Sequence, residues 1–163
     1  HQLLKIFHSM KLSKNFSLKE LTRSQTAIRH GIDNSPTLDQ LVCLTALTTA
    51  ILQPIREVHG RVNINSGLRV LELNRKIGSG DTSQHVLGQA ADLECPSIDN
   101  LQLSKWIESN LKFDQLILEY YESGDPTSGW IHCSYNNTGE NRGRVLTASR
   151  VDGKTQYTEG IHE

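Results

Sequence analysis

The chain has 163 residues, of which 36% are hydrophobic and 21% are charged, and its formal net charge is −1. This balance is typical of one folded domain with one core and excludes a disordered or membrane-embedded chain. The near-neutral charge excludes a general attraction to nucleic acid, and we expect no nucleic-acid partner.

Several segments bear on where the protein resides. The longest apolar run, LTALTTAIL at 44–52, is too short and too rich in threonine to cross a bilayer, so we expect no stable membrane association. The segment 1–10 is a poor export leader, and a natural start at Met10 would make residues 1–9 an added extension. Three cysteines without a CxxC pair suit a reducing compartment: Cys43, Cys95 and Cys133. We therefore expect the protein to stay in the cytoplasm until it is released by a route other than a leader.

The first third of the chain is predicted to be helical. A short helix is expected within 15–27, because Ser17 and Glu20 have the spacing of a capping box. A longer helix is expected from Pro36 to His59, with a kink at Pro54, which lacks an N–H and clashes with the preceding turn.

The remainder alternates between strands and helices. Alternating or continuous apolar patterns predict strands at 61–67, 89–95, 113–121, 129–135 and 143–151, with helices at 68–78 and 96–111. The last ten residues look polar and loose. This order favours an α+β fold with a central antiparallel sheet flanked by helices. We expect a single domain at 14–150 between an N-terminal tail (1–13) and a C-terminal tail (151–163).

Strand alternation places polar side chains on one face of the predicted sheet. Asp92, Glu119 and His132 lie on three different strands, and each can face the same side. If these strands are neighbours, the three side chains can converge, and His85 in the preceding loop can join them.

Two imidazoles and one carboxylate form a suitable ligand set for catalytic Zn²⁺, which keeps its fourth position open for water. A second carboxylate is then needed to accept the proton of that water, and Glu119 is the candidate. Each residue has a simpler interpretation when it is taken alone. His85 and His132 could be solvated, Asp92 could form a structural ion pair, and Glu119 could reach solvent at the end of its strand.

Four motifs together carry a resemblance to a known family. They are SGLR (66–69), SQHVLGQAADL (83–93), FDQLILE (113–119) and GWIHCSY (129–135). In this order they resemble the zinc D-Ala-D-Ala carboxypeptidase family, peptidase M15, which has the hedgehog/DD-peptidase fold and includes phage endolysins. The resemblance covers roughly residues 14–136.

The resemblance implies roles for eight residues. His85, Asp92 and His132 would hold Zn²⁺, and Glu119 would be the general base. Arg69 would be catalytic as well as substrate-binding, since its guanidinium would hold the substrate carbonyl or carboxylate and the developing oxyanion. The remaining substrate-binding residues would be Ser83, Gln115 and Trp130.

One position departs from the family pattern. Several relatives carry the catalytic glutamate three residues before the last histidine, where this chain has Gly129. The role would therefore pass to Glu119, with Asp125 as the alternative.

The resemblance implies zinc-dependent hydrolysis of peptide bonds in peptidoglycan stem peptides, of the D,D-carboxypeptidase or L-Ala-D-Glu endopeptidase type. The expected setting is a monomeric phage or prophage lysis enzyme that acts on the cell wall. The alternative is a non-catalytic, zinc-stabilised binding domain or phage structural protein of the same fold. A closed coordination sphere, completed by a cysteine or another histidine, would favour that alternative.

Overall fold

The computed structural model describes residues 9–163. Its helices are α1 (Leu18–Thr22), α2 (Gln25–His30), α3 (Leu38–Leu47), α4 (Gln53–His59), α5 (Leu71–Lys76) and α6 (Asn100–Asn110). Its strands are β1 (Lys11–Ser13), β2 (Phe16–Ser17), β3 (Asn63–Ser66), β4 (Ala90–Glu94), β5 (Gln115–Glu119), β6 (Trp130–Ser134), β7 (Arg144–Val151) and β8 (Lys154–Glu159).

The central sheet has six strands in the order β3-β4-β6-β5-β7-β8. This confirms the α+β class with a central sheet and flanking helices. The sheet is not wholly antiparallel, because β7 pairs in parallel with β5. The segment between β6 and β7 crosses to the far side of β5, and backbone hydrogen bonds from Gly143 to Phe113 and from Arg144 to Asp114 fix it there.

The caps of the early helices follow from local side-chain chemistry. Ser17 and Glu20 form the predicted capping box at α1. The next long helix begins later than expected, since Thr37 caps α3 and forms a capping box with Gln40. Pro36 therefore precedes the helix instead of starting it.

The predicted kink at Pro54 takes the form of a widened turn. Residues Thr48–Leu52 form a π-helical turn between α3 and α4, directly before Gln53 and Pro54. A π turn shifts the hydrogen-bond ladder and accommodates a residue that lacks the backbone donor.

The continuous helical segment Leu38–His59 spans 22 residues and is long and apolar enough, by length and composition alone, to cross a membrane. The core helix of a folded domain passes the same test. Leu44, Leu47, Ile51 and Ile55 of this segment are fully buried against the rest of the protein.

The main core lies on one face of the sheet. Alternate residues of the central strands, such as Leu93, Leu116 and Ile131, pack there against the long helical segment and α6. Each fully buried leucine or isoleucine contributes about 1.5–3 kcal/mol of transfer free energy. The opposite face carries Asp92, Glu119 and His132, so the strands that build the core also present the polar residues on the other side.

The chain termini differ from the expected tails. The prediction of a loose C-terminus is wrong, because Lys154–Glu159 forms β8 and pairs with β7. Asp152 and Gly153 both have positive φ angles, 51° and 76°, as a two-residue hairpin turn requires. At the other end, residues 1–8 of the expected tail lie outside the described part, and Lys11–Ser13 forms β1. The domain limits at 14 and 150 stay a prediction.

Candidate active site

Three side chains from separate segments meet at one point of the polar face. Asp92 on β4 and His132 on β6 are directly paired neighbours in the sheet, and His85 comes from the loop before β4. Asp92 Oδ1 lies 3.2 Å from His85 Nε2 and 3.1 Å from His132 Nδ1. One ligand atom from each residue lies within 4.8 Å of the others. The convergence expected from strand alternation is therefore present.

The orientation of the His85 ring leaves one nitrogen for a cation. His85 Nδ1 lies 2.8 Å from the backbone carbonyl of Gly67, which can only accept, so Nδ1 carries the proton. In the neutral ring Nε2 then offers a lone pair, which faces the Asp92 carboxylate. Two acceptors at this distance need a cation between them, and a second-shell carbonyl that fixes a histidine tautomer is typical of metal sites.

The protonation states also suit a metal. Burial lowers the pKa of His85 and so favours the neutral imidazole that a metal requires. Burial opposes ionisation of Asp92, but the neighbouring imidazoles of His132 and His85 outweigh it and hold the Asp92 pKa well below its usual range. Tetrahedral zinc ligands at about 2.0–2.2 Å from the ion lie ~3.4 Å from one another, close to the two separations between Asp92 Oδ1 and the histidine nitrogens. The donor set therefore fits Zn²⁺.

The loop that carries His85 is tied to the SGLR segment. Arg69 N donates to the His85 carbonyl over 3.1 Å. Buried Asn34 holds the other side of this segment, since its side chain donates to Leu68 O and accepts from Val70 N. Ser83 Oγ accepts from His85 N and so helps to order the loop, while its predicted contact with substrate stays a prediction.

Glu119 stands beside this cluster at the end of β5. Its pKa is raised, first by burial and then by the nearby charge of Asp92. The indole N–H of Trp130 on the adjacent strand donates to Glu119 Oε2 and fixes the carboxylate. A carboxylate with a raised pKa can accept a proton and return it near neutral pH, which is what a general base requires.

Gly129 explains why the glutamate of the E-x-x-H pattern is absent. Its φ angle is 68°, and a Cβ at this position would lie 2.1 Å from the Glu119 carbonyl oxygen and 2.8 Å from the backbone carbon of Tyr120. Only glycine fits such a site. The alternative base, Asp125, accepts hydrogen bonds from Thr127 in an exposed turn and is not part of the cleft.

Arg69 is half-buried beside the cluster instead of lying free on the surface. Its Nε is buried and has no hydrogen-bond partner within residues 9–163. Burial lowers the pKa of Arg69, although the charges of Asp92 and Glu119 oppose the shift. The guanidinium N–H groups of Arg69 are therefore available to donate to a carbonyl or carboxylate oxygen of a bound molecule.

These residues line one open cleft of about 510 Å³, a size typical of small-ligand sites. The cleft contains every residue that the sequence assigned to the site: Arg69, Ser83, His85, Asp92, Gln115, Glu119, Trp130 and His132. Their individual roles stay predictions. Trp130 is a cleft wall, and its ring contacts Tyr120 at a centroid distance of 5.3 Å.

Comparison with known families decides the identity. Residues 14–134 match the family model described as Peptidase M15. The chain belongs to the peptidase M15 family. No curated protein gives a significant match. Membership implies that this M15 chain is a peptidase, and it agrees with the resemblance carried by the four motifs.

Two of the cleft residues to which the sequence assigned no role lie in the C-terminal part of this M15 chain. Arg142 and Tyr157 line the cleft, and both lie beyond the segment that matches the family. The Asp152–Gly153 pair between two strand-like runs is a strong hairpin signal and could have revealed β8, which carries Tyr157. Nothing in the local sequence marks Arg142.

Proposed function

We propose that this protein is a zinc-dependent peptidase that hydrolyses peptide bonds in peptidoglycan stem peptides. The bond would be of the D,D-carboxypeptidase type or the L-Ala-D-Glu endopeptidase type. The observation that carries the proposal is the meeting of His85, Asp92 and His132 beside Glu119 in one cleft.

Three residues would hold the metal. His85 Nε2 and His132 Nδ1 both lie close to Asp92 Oδ1, and His85, Asp92 and His132 form the one such group of potential ligands within residues 9–163. A bound Zn²⁺ supplies Lewis acidity and lowers the pKa of a coordinated water to about 7.

Glu119 would move the proton. Its carboxylate accepts a proton from the attacking water and later delivers it to the leaving amine. The Trp130 indole holds one carboxylate oxygen, Oε2, so the other oxygen would accept the proton. General acid–base catalysis of this kind contributes typically about 10²- to 10⁴-fold to the rate.

Arg69 would stabilise the charge that develops on the substrate. Its guanidinium donors have no carboxylate partner within the described residues, so they are free to bind the carbonyl oxygen as it becomes negative. A fixed cation in a half-buried site reduces the reorganisation that such charge would otherwise require.

The cysteines argue against the non-catalytic alternative. Cys133 is fully buried and belongs to the core face of β6, opposite His132, and Cys95 also packs in the core. Neither can complete the coordination sphere, and a three-ligand site with an open side is the catalytic arrangement.

We further propose a phage or prophage lysis enzyme that acts as a monomer, stays in the cytoplasm until release and then attacks the cell wall. The support is the resemblance to endolysins of the same family. The experiment that tests the wider proposal is mass spectrometry of muropeptides after incubation of the protein with purified peptidoglycan, with and without a chelator.

The proposal predicts shortened stem peptides that disappear with the chelator and return with added zinc. Glu119→Gln should retain zinc and lose turnover by about 10²-fold or more. The matched control is Glu122→Gln, since Glu122 is exposed outside the cleft. Unchanged muropeptides with the zinc-loaded wild type would refute the substrate class.

A further inference from the structure

The C-terminal hairpin β7–β8 places a tyrosine in the catalytic cleft. Four residues lie in register across four adjacent strands: Trp130 pairs with Glu119, Glu119 with Ala148, and Ala148 with Tyr157. All four side chains share the polar face, because directly paired residues in a sheet point to the same side. Tyr157 therefore stands two strands from Glu119 in the same row.

Small and apolar residues lie between them in the sheet. Ala148 lies between Glu119 and Tyr157 in this row and is 1% exposed, so neighbouring side chains cover its methyl group. Ile117 and Leu146 form a small apolar cluster with Ala148, apart from the main core. Ile117 and Tyr157 both line the cleft, which therefore reaches from the candidate metal site to Tyr157.

The Tyr157 side chain is available for a ligand. It is 55% exposed, and its hydroxyl has no hydrogen-bond partner within residues 9–163. The neighbouring Tyr120 differs, since its hydroxyl bonds Thr155 Oγ1 and Arg150 lies 5.2 Å from its ring centroid. Burial, followed by the charge of Glu119, raises the pKa of Tyr157, so the phenol keeps its proton and can donate.

We propose that Tyr157 binds the leaving-group side of the peptide, with its hydroxyl donating to a carbonyl or carboxylate oxygen of the leaving residue. The proposal rests on the proposed function, in which Glu119 delivers a proton to the leaving amine and so marks that side of the cleft. The exposed aromatic ring of Tyr157 would also pack against the side chain of the leaving residue. Tyr157 lies outside the segment that matches the family, and it therefore makes specificity on this side a property of the C-terminal hairpin.

The test uses Tyr157→Phe, which removes only the hydroxyl, and Tyr157→Ala, which also removes the ring. The matched control is Gln156→Ala, an exposed neighbour on the opposite face of β8. Steady-state kinetics are measured on two peptides with the same scissile bond, one with a free carboxylate on the leaving residue and one with an amide. Zinc content is measured for each variant.

Tyr157→Phe should raise KM about two- to tenfold, the range for one lost hydrogen bond, with zinc content and kcat close to wild type. Tyr157→Ala should raise KM further, and Gln156→Ala should change nothing. If KM rises only for the peptide with the free carboxylate, the Tyr157 hydroxyl binds that carboxylate. If KM rises equally for both peptides, the hydroxyl binds a carbonyl oxygen. If the enzyme is active but KM is unchanged in both tyrosine variants, this inference is wrong and the proposed function stands. If the zinc-loaded wild type turns over neither peptide, the proposed function is wrong and this inference falls with it.

Discussion

At Gly129 the chain passes so close to the end of β5 that a methyl group would meet the Glu119 carbonyl oxygen at 2.1 Å. This contact excludes a side chain at residue 129, so the proposed general base has to come from another position, such as Glu119 on β5. Glu119 can occupy its position because residue 129 lacks a side chain, and the indole of Trp130, the next residue, then reaches the carboxylate.

A pair of glycine substitutions tests this crowding. Gly129 and Gly124 both have positive φ, 68° and 86°, but a Cβ at Gly124 would meet nothing within 4 Å. We expect Gly124→Ala to cost about 1 kcal/mol, from backbone strain alone. Gly129→Ala should cost ~3 kcal/mol or more, because steric overlap with the backbone adds to the strain. Chemical denaturation measures both, and equal losses would contradict the crowding.

At the scale of elements, buried Asp114 connects three segments. Its carboxylate accepts two hydrogen bonds from the Arg142 side chain, at 3.1 and 2.7 Å, and one from Gln84 in the His85 loop, at 2.9 Å. It thereby ties that loop to the start of β5 and to the segment that crosses towards β7.

Hydrogen bonds from Arg142 hold the pKa of Asp114 below its ordinary value. A depressed folded-state pKa gives stabilisation that is complete above the unfolded value of about 3.9 and is lost as the pH falls below it. Asp114→Asn should therefore lose about 1–2 kcal/mol of unfolding free energy at pH 7, and its deficit should shrink below about pH 4.

Denaturation at a series of pH values measures this difference. Asp81→Asn is the control, since Asp81 forms an exposed ion pair with Arg75 and should show little change at any pH. If Asp114→Asn lowers the free energy of unfolding by the same amount at pH 7 and at pH 3, the stabilisation does not depend on the charge of Asp114 and this explanation is wrong.

At the scale of the whole molecule, the core and the cleft occupy opposite faces of one sheet. The main core is a cluster of buried apolar side chains that does not include His85, Asp92 or His132. We therefore expect the zinc-free protein to stay folded. Zinc at 100 times its Kd should add about 2.7 kcal/mol, which raises Tm by roughly 5–10 °C for a chain of this length.

Thermal unfolding with zinc and with chelator measures this shift. His132→Ala should unfold at the same temperature in both conditions, because it lacks one ligand. Loss of the far-ultraviolet circular dichroism on chelation would instead show that the metal holds the fold together.

Much of this architecture could be predicted from the sequence, and the reasons differ along the chain. Alternation in QAADLEC and GWIHCSY placed Asp92 and His132 on one face because strand periodicity is local. The parallel position of β7 and the cleft position of Arg142 could not be predicted, since both depend on where a crossing segment packs. Tyr157 was missed because the sequence of β8 is polar throughout, and only the Asp152–Gly153 turn marks the hairpin.

The central claim is that His85, Asp92 and His132 hold one zinc ion with an open side. The most direct measurement is elemental analysis combined with zinc X-ray absorption on the purified protein. We expect one zinc ion per chain, bound by two imidazole nitrogens and with only oxygen atoms as its remaining ligands. We also expect the metal to be lost in His85→Ala, Asp92→Ala and His132→Ala. Zinc retained in these variants, or a sulfur atom among its ligands, would contradict it.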